Sequence, residues 1–356
     1  MTKSPMGNIL KKEQSLAYRL LIPTLVVLAL VAIYPLGQVV VTSFTDRVFA
    51  SNEETHFVGL DNYTQLLGMT IAELPPQVDQ ETGEIVKNEE TGETVYTRAI
   101  TVLPRKPYRY KELFQFNWFG KRYVVGARDK EFLTAIGNTL VFTIFSVLME
   151  TVIGFFLALV VNSNFKAKGL MRTTMLIPWA VITVVSARIW EWMLQPGTAG
   201  FFNMIMYRLG FSDGQASFLT NSALQMPTMI AVDVWKTSPY MALLILAGLQ
   251  MIPKELYEAS EVDGASKVRQ FFQITLPLLK PSLAVALIFR TLDALRVFDV
   301  FQVLMESKMY SMASYNYFQL IQNREMGVSS AVGVIIFIII GIFSVIYIRG
   351  LGVDQS

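Results

Sequence analysis

The sequence Glu258-Ala-Ser-Glu-Val-Asp-Gly-Ala265, followed after eight residues by Ile274-Thr-Leu-Pro277, lies between two long apolar runs. It is polar enough to face water. Ala259 and Ala265 are small, Gly264 ends a helix, and Pro277 marks entry into the next apolar segment. The pattern predicts a short helix with a small-residue face at the mouth of a membrane bundle, suited to dock in a cleft on another protein.

The chain around it has a membrane-protein composition. Of 356 residues, 53% are hydrophobic and 16% charged, which is far from the balance of a soluble domain. The net charge of +2 creates no global field for nucleic acid. There are no cysteines, which excludes disulfides and thiolate metal sites. The single histidine, His56, sits in a hydrophilic stretch and no metal site is expected on it. No G-x-x-x-x-G-K-[ST] run occurs, so the chain carries no P-loop of its own for ATP.

Six apolar runs are long enough to cross roughly 30 Å of hydrocarbon as helices. They are 20–43, 132–161, 173–194, 226–249, 282–305 and 328–348. The expectation is an all-α membrane protein with six transmembrane helices. Residues 1–19 precede the first, and 250–281 form the loop that holds the opening motif. Residues 44–131 are dense in charge and carry Glu-Thr-Gly-Glu twice, at 81–84 and 90–93. This reads as a small insertion of mixed or β character; whether it folds or is a flexible loop is left open.

Lysine and arginine assign the sides. The N-terminus, the 162–172 loop, the 250–281 loop and the C-terminus hold twelve: Lys3, Lys11, Lys12, Arg19, Lys166, Lys168, Arg172, Lys254, Lys267, Arg269, Lys280 and Arg349. The opposite short loops hold three: Arg208, Lys308 and Arg324. Both termini and the 258–277 motif are therefore expected in the cytoplasm and the insertion outside it.

Charges within the runs are the next signal. Arg188 and Glu191, Asp233 and Lys236, Arg290 and Asp293, and Arg296 and Asp299 each stand three residues apart. That spacing predicts self-neutralising pairs on helix surfaces, turned to the bundle interior or a water-filled path. They can act as interhelical clamps or as partners for a hydroxyl-rich solute. The four charges of the fifth run would wind by about 60° per step, which favours a pathway lined along its depth. Trp190 and Trp192 read as interface anchors. Trp235 lies in Asp233-Val-Trp-Lys-Thr-Ser-Pro-Tyr240, and Pro239 predicts a broken helix there. An aromatic face with Asp, Lys and Tyr beside it suits a sugar ring and its rim of hydroxyls.

These residues carry a family resemblance. The opening motif resembles the E-A-A, D-G-A and I-x-L-P pattern of the coupling loop of ABC importer permeases, with Ser260 standing where that pattern has alanine. Leu176-Ile-Pro-Trp-Ala180, the segment Val234-Trp235 to Pro239-Tyr240, and Leu292-Asp-Ala-Leu-Arg-Val-Phe-Asp299 are similar to permeases of maltose- and trehalose-type carbohydrate importers. The resemblance implies a type I importer permease fold in the inner membrane. It implies Glu258, Ala259, Ser260, Asp263, Gly264 and Ala265 as the coupling contact with an ATPase. It implies solute contact at Trp179, Thr183, Asp233, Trp235, Lys236, Thr237 and Tyr240. Asp293, Arg296 and Asp299 join them on the physical argument above.

The expected function is a non-catalytic permease subunit of an ATP-driven, binding-protein-dependent sugar importer, working by alternating access. The expected solute is an α-linked disaccharide such as trehalose or maltose. Expected partners are a second homologous permease, two ATP-binding subunits that hold ATP and Mg, an extracytoplasmic sugar-binding protein and the lipid bilayer. No cofactor is expected in this chain. The alternatives are a glycerol-phosphate or glucosyl-polyol permease of the same family, or an ion-coupled secondary transporter using the intramembrane aspartates. An intramembrane enzyme is disfavoured, since no cysteine or histidine lies in any run.

Overall fold

A computed structural model describes residues 5–79, 83–88, 91–163 and 165–351. Lys3, and Glu81, Thr82 and Glu90 of the repeated tetrapeptides, lie outside those residues. Two compact units are present, one comprising 1–65 with 318–335 and the other 66–317 with 336–356.

In the first unit, helix α1 (Pro5–Leu28) passes through a wide turn at Ala29–Ile33 into α2 (Tyr34–Thr42). The side chains from Leu20 to Val41 are almost all exposed, as expected of a helix whose solvent is lipid. The loop beyond α2 is tied by side chains. Asn62 Nδ2 donates to the carbonyls of Ser43 and Thr45 at 2.8 and 2.9 Å. The Arg324 guanidinium donates to the carbonyls of Phe49 and Ala50 at 3.1 and 2.8 Å.

In the second unit, the insertion is folded. Strands β1 (Met69–Leu74), β2 (Lys111–Trp118) and β3 (Lys121–Ala127) form an antiparallel sheet in the order β1-β3-β2. Ile71 faces Val125 and Phe116 faces Tyr123 across it. Leu74, Ala99, Leu103 and Val124 make a small core beneath. Gly83 and Gly92, one from each repeated tetrapeptide, both have positive φ, at +69° and +68°. The segments around Gln77, Val86 and Val95 close on one another. Gln77 donates to Val95, Val95 to Val86 and Val86 to Gln77, by main-chain bonds of 2.8 to 2.9 Å.

The helices that position the site follow the sheet in this unit. Asp129 caps α3 (Lys130–Asn162) by accepting the Phe132 N–H at 2.9 Å. The third apolar run is broken into α4 (Lys168–Thr174) with α5 (Ile177–Ala180), then α6 (Thr183–Met193). The two arms are bent by 87°. Helix α7 (Ser222–Gln250) is capped by Asn221 and runs unbroken through Pro239. The expected break therefore lies in the third run and not the fourth. The Ser238 hydroxyl donates to the Val234 carbonyl at 2.6 Å beside that proline, and α7 is held along its length against α3. The motif helix α8 (Lys254–Val262) leads through Lys267–Thr275 into α9 (Leu276–Ala294). Residues 295–298 leave the helix, and α10 (Asp299–Leu304) follows. The four charges of the fifth run thus do not wind along one continuous helix. The last helix, α11 (Met326–Leu351), begins in the first unit and is mostly apolar, with Arg349 in its last turn. Among the described residues, five helices have the length and apolarity to cross a membrane, or six when the bent pair counts as one.

Close helix approach requires small residues. A Cβ added at Gly248 of α7 would stand 2.5 Å from Ser282 Cβ and 2.7 Å from Leu279 Cδ1, both on α9. Gly248→Val is expected to separate these helices and cost about 1–3 kcal/mol by overpacking. Thermal unfolding in detergent checks this; an unchanged Tm would contradict it.

Candidate functional site

The 87° bend has a local cause and a local remedy. Pro178 suits the first turn of α5, and Val181 and Ile182 are extended. In a continuous helix the carbonyls of Pro178, Trp179 and Val181 would accept from residues four positions on. The break takes them out of that ladder. The Lys236 ammonium donates to Pro178 O at 3.3 Å, to Trp179 O at 3.2 Å and to Val181 O. A carbonyl withdrawn from water without a donor costs about 1–3 kcal/mol, and at these part-buried carbonyls the cation supplies the donor that the helix ladder no longer does. It also complements the negative end of α5.

Asp233, the residue expected to pair with Lys236, turns instead to Arg290. The Arg290 guanidinium is buried at the meeting of α3, α7 and α9. It binds the Glu150 carboxylate through two nitrogens, one of them at 2.8 Å, and pairs with Asp233. Its Nη1 reaches Asp293 Oδ2 at 3.2 Å. Glu150 is fully buried, while the Asp293 side chain is 69% exposed. Of the four sequence pairs, Arg188–Glu191 (2.6 Å) and Arg290–Asp293 (3.2 Å) form. Arg296 spends its Nε on the Leu292 carbonyl at 3.2 Å. It sits where the helix has ended, so it lacks the i, i+3 geometry to meet Asp299.

Beside this cluster lies a cavity of about 750 Å³. Trp179, Thr183, Asp233, Lys236, Thr237, Tyr240, Asp293, Arg296 and Asp299 all line it, with Arg290 and Phe289. Trp179 and Tyr240 stack with centroids 5.1 Å apart and planes 6° apart. Trp235, expected among these residues, is not in the lining. Asp233, Lys236, Thr237 and Tyr240 share one face of α7, whereas Trp235 is turned about 200° from Asp233. Its ring meets Trp190 edge-on at 5.3 Å.

At the far end of α7, the motif helix α8 closes with a reciprocal cap. Ala265 N–H donates to Ser260 O at 2.9 Å and Gly264 N–H to Glu261 O at 3.0 Å, with Gly264 at φ +75°. This is the Schellman arrangement that favours glycine. Gln270 Nε2 donates to Ser260 Oγ at 2.9 Å, and Tyr257 Oη meets Thr275 Oγ1 at 2.9 Å. Lys267 pairs with Glu261 and holds its carboxyl below the usual range. Glu258, Ala259, Asp263 and Gly264 remain exposed, as does Val262.

Residues 150–352 match the family described as binding-protein-dependent transport system inner membrane component. The chain belongs to that family. A trehalose/maltose transport system permease protein of Thermococcus litoralis is 40% identical over 259 residues, covering 71% of this permease and 82% of the relative. A sulfoquinovosyl glycerol transport system permease protein of Agrobacterium fabrum is 30% identical over 341 residues, covering 95% and 90%. Among solved structures, a bacterial ABC transporter involved in the import of the acidic polysaccharide alginate superposes with a TM-score of 0.68 at 20% identity. That match covers 97% of this permease and 98% of that chain. The permease fold expected from the sequence is the fold observed.

Sequence reasoning missed Glu150. It lies in the second run with no cation three or four residues away. A carboxylate alone in such a run must find its partner on another helix, and that was the available signal. Removing one member of a buried ion cluster costs about 3–5 kcal/mol, because the others stay buried and uncompensated. Arg290→Met in this permease is expected to lose that much, and Asp293→Asn, at the exposed edge, well under 1 kcal/mol. Thermal unfolding in detergent separates them; equal losses would show that the cluster does not hold the helices.

Proposed function

We propose that this permease is the membrane subunit of an ATP-driven, binding-protein-dependent sugar importer and that it carries an α-linked disaccharide such as trehalose or maltose. The observation that carries the reading is the cavity with the stacked Trp179–Tyr240 pair at its wall. Its volume of about 750 Å³ falls in the range of small-molecule sites, roughly 300–1,000 Å³. An indole face suits the C–H face of a pyranose, and Thr183, Thr237, Arg296 and Asp299 offer donors and acceptors to its hydroxyls. The lining has three carboxylates and three cations. That balance supports a neutral polyol over a phosphate dianion, which would favour an excess of cations.

The chain itself hydrolyses nothing in this reading. Two ATP-binding subunits close on nucleotide and move α8, which passes the motion to α9 and the cavity. A second permease completes the path and an extracytoplasmic binding protein delivers the solute. The name of the Thermococcus relative supports the solute class, and the exposed face of the capped α8 supports the ATPase contact. The excess of lysine and arginine near the termini and the 250–281 loop supports a cytoplasmic position for both.

Two variants test the two halves. Trp179→Ala is expected to cut uptake by the assembled transporter about tenfold or more, the order of one lost aromatic contact in a closed site, while assembly with the ATPase persists. Uptake at the original rate would remove the cavity from the path. Gly264→Pro cannot keep the positive φ or the N–H of the α8 cap. It is expected to abolish solute-stimulated ATP hydrolysis while the protein still inserts. Undiminished stimulation would sink the coupling assignment.

A further inference from the structure

We propose that Lys236 is a positioning residue for transport: its ammonium clamps the break between α5 and α6, and so fixes Trp179 and Thr183 in the cavity, without contacting the solute. This rests on the reading of the cavity as the solute site. An ammonium has three N–H donors and no acceptor. Lys236 gives them to three main-chain carbonyls, those of Pro178, Trp179 and Val181. While the break is intact, no donor is left for a sugar hydroxyl. The residue is also buried, at 8% exposure.

The grip has two points on one residue. Lys236 holds the main chain of Trp179, and Tyr240, four positions further along the same face of α7, holds its ring in a stack at 5.1 Å. Helix α5 has only four residues and cannot fix the orientation of Trp179 by its own ladder. Thr183 opens α6 on the far side of the break, two residues beyond Val181. One cation thus sets the positions of the lining residues on both arms. By contrast, among the described residues Arg296 engages its Nε with the Leu292 carbonyl, which leaves its Nη donors for a solute.

The sequence has no cysteine, which permits paired spin labels at Thr173→Cys and Ile189→Cys, exposed sites on opposite arms of the bend. Distances are measured by pulsed electron resonance on the full chain in the assembled transporter, with cysteine-free partner subunits and no solute present. With Lys236 a narrow distribution is expected. Lys236→Met should broaden and lengthen it and lower uptake roughly tenfold, the order of a lost charge-assisted hydrogen bond. Lys236→Arg, which keeps a cationic donor, should restore the narrow distribution and most of the uptake. An unchanged distribution in Lys236→Met, or an arginine variant as broad as the methionine one, would overturn the proposal. Should the methionine variant not accumulate, Lys236→Gln replaces it, with two donors for three carbonyls and the same two outcomes. Because no solute is present, these distances stand independently of the cavity reading, which Trp179→Ala tests alone.

Discussion

The buried guanidinium of Arg290 constrains the helices around the cavity. A single cation at the junction of three helices gathers Glu150 from α3, Asp233 from α7 and Asp293 from its own helix. A charge taken out of water is costly unless its donors are spent on fixed acceptors. The rotation of α3, α7 and α9 about their axes is therefore tied to one planar fork. The cavity lies against that fork, and Asp233, Arg290 and Asp293 belong to both. The bundle cannot turn one helix without disturbing the wall that faces the cavity.

The second constraint is the main chain itself. In hydrocarbon a polar peptide group must find a partner inside the protein. The sequence advertises a break at Pro239, where the helix continues, and conceals the break after Ala180, where it stops. The difference lies in what surrounds each site. At Pro239 the helix is held against α3 over many turns. At Val181 the chain turns away, and the carbonyls it abandons are met by a lysine from another helix. Proline is a local signal, whereas satisfaction of the backbone depends on residues 55 or more positions distant.

Much of the architecture was nonetheless legible. Apolar length marked where the long helices lie but not the breaks in the third and fifth runs, and the E-A-S/D-G-A pattern gave the capped α8. The family resemblance of the third and fourth runs named most of the residues that line the cavity, and Asp233, Lys236, Thr237 and Tyr240 line it together because i, i+3, i+4 and i+7 of an unbroken helix share a face. Three things were not legible. Trp235 differs from its neighbours only by helical phase, which the break wrongly expected at Pro239 obscured. Lys236 and Asp233 satisfy an i, i+3 rule that both abandon for partners on other helices. The insertion folds by pairing Met69 with Ala127, a contact that no local pattern announces.

The ring of main-chain bonds among Gln77, Val86 and Val95 has a consequence for how this part of the protein can change. Those three positions are nine residues apart, and each segment both gives to one neighbour and takes from the other. Among the described residues the set closes on itself and leaves no strand edge at these positions to recruit a foreign chain. A tandem duplication, the cheapest route by which repeats lengthen, would insert a fourth segment into a circuit already complete. Growth by one unit would force the ring open and expose the edge that three units hide.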